Sequence, residues 1–206
     1  MVTSFMVSGC FIRKNVHFAI VILLLSIGRG FGQDDGVPRT KPKPVSATQL
    51  TESKEGLLLI EGKPYTGEVV RFYSNKKKSE SYSIRNGKLH GPFVTYREDG
   101  SRAFQVTFSN GVEQGPFKRW FEGGKIWVDE NYKAGKLDGI SLTYFSNGKI
   151  QVQSFYRAGK KEGLEIGWHE NGQQRWEAIY EKGELKNKLS WKFDGTPSGK
   201  KAPKIL

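Results

Sequence analysis

The chain has 206 residues, a formal charge of +12 and a single cysteine, Cys10. This is the length of one domain, and one cysteine excludes a disulfide framework or a cysteine zinc site within the chain. The positive charge is spread out: residues 67–187 carry twenty basic and fifteen acidic side chains, mixed along the sequence. A nucleic-acid face needs clustered cations to neutralise phosphates, so no nucleic-acid partner is expected.

Residues 1–33 read as a signal peptide. Arg13 and Lys14 precede an apolar run from Val16 to Ile27, and Gly28-Arg29-Gly30-Phe31-Gly32 supplies small residues after it. The run is shorter than the ~20 residues of a membrane span. Cleavage near Gly32 and export to the periplasm, the cell envelope or the outside are expected. The alternative is an uncleaved N-terminal membrane anchor. Val7-Ser8-Gly9-Cys10 looks like a lipobox but precedes the basic and apolar regions instead of following them. Residues 34–55, with Pro38, Pro42 and Pro44 among lysines, read as a disordered linker that has nothing to bury.

From residue 56 the composition changes. Leu57-Leu58-Leu59-Ile60 reads as a capping strand, and glycine then recurs every twenty-four residues at Gly67, Gly91, Gly115, Gly139 and Gly163. Two further glycine series run in phase: Gly100, Gly124, Gly148 and Gly172, then Gly87, Gly111, Gly135, Gly159 and Gly183. A fixed period means one supersecondary unit stacked along an axis. Each unit reads as two strands joined by turns such as Ser146-Asn147-Gly148 and Ser109-Asn110-Gly111. Gly100, Gly124, Gly148 and Gly172 are the turn glycines expected to take positive φ. If both turns are three-residue loops, one sheet face persists along the array. Phe72, Tyr96, Trp120, Tyr144 and Trp168 then share that face with Phe104, Val128, Val152 and Trp176, and with Ile84, Phe108, Tyr132, Tyr156 and Tyr180. Residues 56–195 form the repeat domain by this reading, and 196–206 a basic tail with Lys200, Lys201 and Lys204.

The pattern Gly-x-x-x-x-aromatic-x-x-Asn-Gly, then Tyr-x-x-Gly, resembles the MORN repeat. Tyr144, Asn147, Gly148, Tyr156 and Gly159 carry it, as do Trp168, Asn171, Gly172, Tyr180 and Gly183. More closely it is similar to the variant in YwqK-family antitoxin proteins. The resemblance implies an all-β fold, an elongated single-layer antiparallel meander of hairpin repeats, and it implies no catalytic residues.

No His-Glu-x-x-His, Gly-x-Ser-x-Gly or phosphate-loop pattern occurs, and His90 and His169 occupy different repeat offsets. No enzyme, metal site or cofactor is expected. The expected function is a scaffold that binds a protein, or a glycan, through the aromatic series Phe72, Tyr96, Trp120, Tyr144 and Trp168 with Trp176 and Tyr180. Trp168, Trp176 and Tyr180, near the end of the array, are expected to be the most exposed rings. An antitoxin or immunity protein that masks a toxin is one alternative. Association with an anionic membrane surface is another, weakened by the mixed charges unless an uncleaved N-terminal segment supplies it.

Overall fold

The structure is a computed structural model that describes residues 43–198. The readings placed on residues 1–42 and on Lys200, Lys201 and Lys204 lie outside them.

Near the N-terminal end of the described chain lie β1 (Val45–Ser46), β2 (Thr51–Glu52), β3 (Leu58–Ile60) and β4 (Lys63–Pro64). The first unit contributes β5 (Gly67–Phe72) and β6 (Lys78–Arg85), the second β7 (Lys88–Tyr96) and β8 (Arg102–Ser109). The third contributes β9 (Val112–Trp120) and β10 (Ile126–Lys133). The fourth contributes β11 (Lys136–Leu137), β12 (Gly139–Tyr144) and β13 (Ile150–Arg157). The fifth contributes β14 (Lys160–Lys161), β15 (Gly163–Trp168) and β16 (Gln174–Glu181), and β17 (Glu184–Ser190) follows. From β5 onward the long strands pair antiparallel in chain order within one continuous sheet. The only helical element among the described residues is a 3-10 turn, Ala47–Gln49. The architecture is the all-β meander of hairpins that the glycine period implies.

Two local features differ from the sequence reading. The turns at Gly87, Gly111, Gly135, Gly159 and Gly183 are two-residue turns, not three: Ser109 pairs directly with Val112. Both central residues have positive φ, as in Asn110 (51°) with Gly111 (83°) and Ala158 (49°) with Gly159 (85°). This is the hairpin turn whose twist matches that of the strands it joins. The other turns do have three-residue loops, and Gly100, Gly124, Gly148 and Gly172 have φ between 82° and 93°. Beside each of these loops, however, the second strand carries one extra residue. Thr95 pairs with Phe104 and Tyr96 with Arg102, which leaves Ala103 unpaired. The same register shift recurs in the hairpins of β5–β6, β9–β10, β12–β13 and β15–β16.

Such a bulge moves one strand by one residue, and a one-residue slip changes which side chains share a face. The single face expected from the sequence is therefore corrected. Phe104, Val106 and Phe108 pair with Thr95, Phe93 and Gly91, not with Val94 and Tyr96. We call the face of Val69, Ile84 and Val106 the front. Phe72, Tyr96, Trp120, Tyr144 and Trp168 lie on the back, whereas Trp176 and Tyr180 lie on the front.

The ordered chain also begins earlier than the linker reading placed it. Val45 and Ser46 run parallel to Val69 and Val70 of β5, covering part of that strand's edge. The segment Leu57–Ile60 enters a small three-stranded sheet, β2-β3-β4, instead of extending the main one. It is tied to the first unit by the Leu58 N–H donating to the Gly87 carbonyl (2.8 Å). After β17, Trp191 bridges to Pro197, so the chain folds back on itself at the start of the segment read as a tail.

A side-chain ladder holds successive units together. The residue before each first-series glycine accepts the N–H of the left-handed residue in the next two-residue turn. Thr66 accepts from Asn86 (2.8 Å), Gln114 from Ala134 (3.0 Å), Asp138 from Ala158 (3.0 Å) and Glu162 from Lys182 (2.8 Å). His90 Nδ1 faces the Asn110 N–H at 3.4 Å. The rung needs only an acceptor at that point, which is why the residue type varies while the position does not.

Candidate functional site

One row of side chains crosses the middle of the front face. Val69 pairs with Tyr82, Tyr82 with Phe93, Phe93 with Val106, Val106 with Phe117, and Phe117 with Glu130. From Val69 to Phe117 this row is apolar: Val69 and Val106 are buried, and the Tyr82 and Phe93 rings stack 5.1 Å apart. From Glu130 to Glu165 it turns polar. Ser141 donates to Glu130 (2.8 Å) and Ser154 to Glu165 (2.6 Å). Glu165 is buried and also pairs with the Lys161 ammonium. Burial pushes this carboxyl upward, but the hydrogen bonds from Lys161, Ser154 and the Trp176 indole, with the Lys161 charge, hold it below its ordinary range.

The back face changes in the opposite sense. In the second and third units its matching row is Pro92, Thr107, Pro116 and Asn131. In the fourth and fifth it is Ile140 paired with Phe155, then Leu164 paired with Ile179. These four apolar side chains lie on β12, β13, β15 and β16, which neighbour each other in that order. Ile140 is 57% exposed, Leu164 48% and Phe155 38%. Leu142 and Ile166 occupy the next positions of the same face along β12 and β15, and Tyr144 and Trp168 stand at its hairpin end. Four strands ~4.8 Å apart make this patch about 14 Å across between outer strand axes. Ile179 is half-buried. Monomeric proteins bury such rows or use them, so this contiguous, largely exposed row is the candidate site.

The ring residues expected to bind are distributed as follows. Tyr144 and Trp168 border the patch and are half-buried. Phe72, Tyr96 and Trp120 share its face but belong to earlier units; Phe72 is exposed, and the Tyr96 hydroxyl faces Ser81 (3.3 Å). Trp176 and Tyr180 lie on the opposite face, so the seven do not form one groove. Nor are Trp168, Trp176 and Tyr180 the most exposed rings: all three are half-buried, whereas Phe72 and Phe193 are more than half exposed. Trp176 is covered because it packs on Gly167, where an added Cβ would run into the indole. Tyr180 is covered by the Lys161 ammonium, 4.9 Å from its ring centre.

The sequence reading followed the aromatic at a constant offset and so missed Ile140, Phe155, Leu164 and Ile179. The signal was the offset that changes: Pro92, Pro116, Ile140, Leu164 on first strands, and Thr107, Asn131, Phe155, Ile179 on second strands.

Among the described residues no group of three or more His, Cys, Asp or Glu side chains could hold a metal ion, and no helix is long and apolar enough to cross a membrane. The family description "MORN repeat variant" matches residues 113–134 and 137–158. Each match covers one hairpin, from just after one two-residue turn into the next. No curated protein matches the chain. The chain thus contains MORN-type repeats built into a repeat scaffold.

Proposed function

We propose that this chain is a non-enzymatic scaffold whose fourth and fifth units dock a protein partner on the back face. The observation that carries this reading is the row Ile140, Phe155, Leu164 and Ile179 on adjacent strands, exposed at its first three positions and half-buried at Ile179. Full burial of a large apolar side chain is worth about 1.5–3 kcal/mol, so completing the burial of four partly exposed ones offers roughly 3–5 kcal/mol. That suffices for a binding centre when rim contacts add to it. Tyr144 and Trp168 are suited to the rim, with an apolar body and a polar tip. A flat apolar row of this kind suits a protein surface better than a glycan, which needs hydroxyl partners along the contact. The likeness to YwqK-family antitoxins makes a toxin one such partner. The reading of residues 1–33 puts the encounter outside the cytoplasm.

The test is quantitative affinity capture from the native envelope fraction with three baits: the wild type, Ile140→Ser/Leu164→Ser, and Lys186→Met as a surface control. A protein held by the wild type and Lys186→Met but lost from the double variant supports the reading. A partner held equally by all three refutes it.

A further inference from the structure

A second cleft lies at the C-terminal end of the sheet, on the front face. It has a volume of about 440 Å³ and is lined by Arg175, Trp176, Lys188, Ser190, Trp191 and Ser198. Its floor is unusual within the array. The position occupied by Gly167 is Arg71, Thr95, Arg119 or Thr143 in the other units, and its cross-strand partner is Glu80, Phe104, Val128 or Val152 where here it is Trp176. Only in this unit does a glycine let an indole lie down on the sheet. The buried Glu165 lies on the same face, its charge already neutralised by Lys161.

Two cations stand over this floor. The Arg175 guanidinium is 5.5 Å and the Lys188 ammonium 5.4 Å from the Trp176 ring centre. Arg175 is the extra residue of the β15–β16 bulge, which brings it to the same side as Trp176. Among the described residues neither cation has a carboxylate partner. Glu177, the acidic neighbour in sequence, is on the other face and accepts from Gln174 (3.1 Å). Two like charges gathered over one ring, without a counter-charge, are waiting for an anion.

We propose that this cleft binds a carboxylated sugar, a hexuronic acid residue of a glycan. The Arg175 fork and the Lys188 ammonium take the carboxylate. The Ser190 and Ser198 hydroxyls match ring hydroxyls, and the Trp191 indole offers an apolar wall. The volume holds one or two sugar rings. The lining comes only from β16, β17 and the fold-back after β17, so it suits a compact ligand over an extended acidic peptide.

The experiment is a ligand titration of the full chain followed by NMR of the tryptophan indole N–H signals and by saturation transfer to the ligand. Glucuronate, glucose, inorganic phosphate and a tetraglutamate peptide are the probes. Glucuronate is expected to shift the Trp176 and Trp191 signals saturably, with glucose inert. Lys188→Met and Arg175→Met should each weaken it about tenfold, the loss of one charge-assisted contact. Lys186→Met, a charge change outside the cleft, should stay within about twofold. No saturable shift up to about 50 mM glucuronate, well past a millimolar Kd, overturns the proposal. So does equal binding of glucose, displacement by phosphate at equal concentration, tighter binding of tetraglutamate through the same cations, or an identical response of Lys188→Met and Lys186→Met.

Discussion

Replacing Glu165 by Gln tests how the polar half of the front face is held. Glu165 is 5% exposed, and its carboxylate accepts from Ser154 at 2.6 Å and pairs with Lys161. In the Glu165→Gln variant the amide would keep the shape and one acceptor for Ser154 but lose the charge. A fully buried pair broken on one side costs about 3–5 kcal/mol, whereas an exposed pair is worth about 0–1. The Lys161 side chain is 31% exposed and can still turn to water, so the loss should fall between those limits, at about 1.5–2 kcal/mol near neutral pH. The pH dependence checks the cause. The Glu165 carboxyl is held below its ordinary value of 4.5, so its contribution is present above that value and fades as the pH falls through the folded-state value. Urea denaturation of wild type and Glu165→Gln from neutral to acid pH should therefore show a stability gap that narrows once the pH drops below 4.5. A gap that is absent at neutral pH, or that persists undiminished in acid, would refute the electrostatic account.

The same turn position should respond with opposite signs in two units. Gly148 has φ 88° and open space around it, so Gly148→Ala should lower stability by about 1 kcal/mol through backbone strain alone, whereas Lys76, which holds the equivalent place at φ 65°, should become slightly more stable as Lys76→Gly; thermal midpoints of both decide. Gly167 is not in the left-handed region, but Gly167→Ala should cost about 1–3 kcal/mol because the new methyl must displace Trp176, and near-UV circular dichroism should report the displaced indole. Leu164→Ser should change stability by less than about 1 kcal/mol because the side chain is half exposed, while Val69→Ala, fully buried, should cost about 2 kcal/mol or more in the same assay.

The period of twenty-four residues and the Asn-Gly turns were enough to read strands, hairpins and meander from the sequence, because glycine at positive φ leaves a fixed mark. Face membership was not legible in the same way. Ala103, Trp127 and Arg175 look like ordinary strand residues, yet each is the extra residue of a bulge, and each bulge exchanges the partners of every residue beyond it. The bulge depends on how the three-residue loop closes against a twisted pair of strands, and no residue type in these positions announces it. Trp176 illustrates the consequence. Its spacing suggested an exposed ring beside Trp168, but its partner across the strands is Gly167, which gives it a bed to lie on and the opposite face to look from. The apolar row of the fourth and fifth units was in the sequence throughout, as the replacement of Pro92 and Pro116 by Ile140 and Leu164. It became a surface only once the register put Phe155 and Ile179 beside them.

Site-specific photo-crosslinking in cells that produce the full chain tests the docking face most directly. A photoreactive phenylalanine analogue is placed at Phe155 on the back face and, in a second chain, at Tyr132 on the front. The back-face account predicts a discrete protein adduct from position 155, abolished by Ile140→Ser/Leu164→Ser, and none of that mass from position 132. An adduct of the same partner from position 132 with none from position 155 would contradict it.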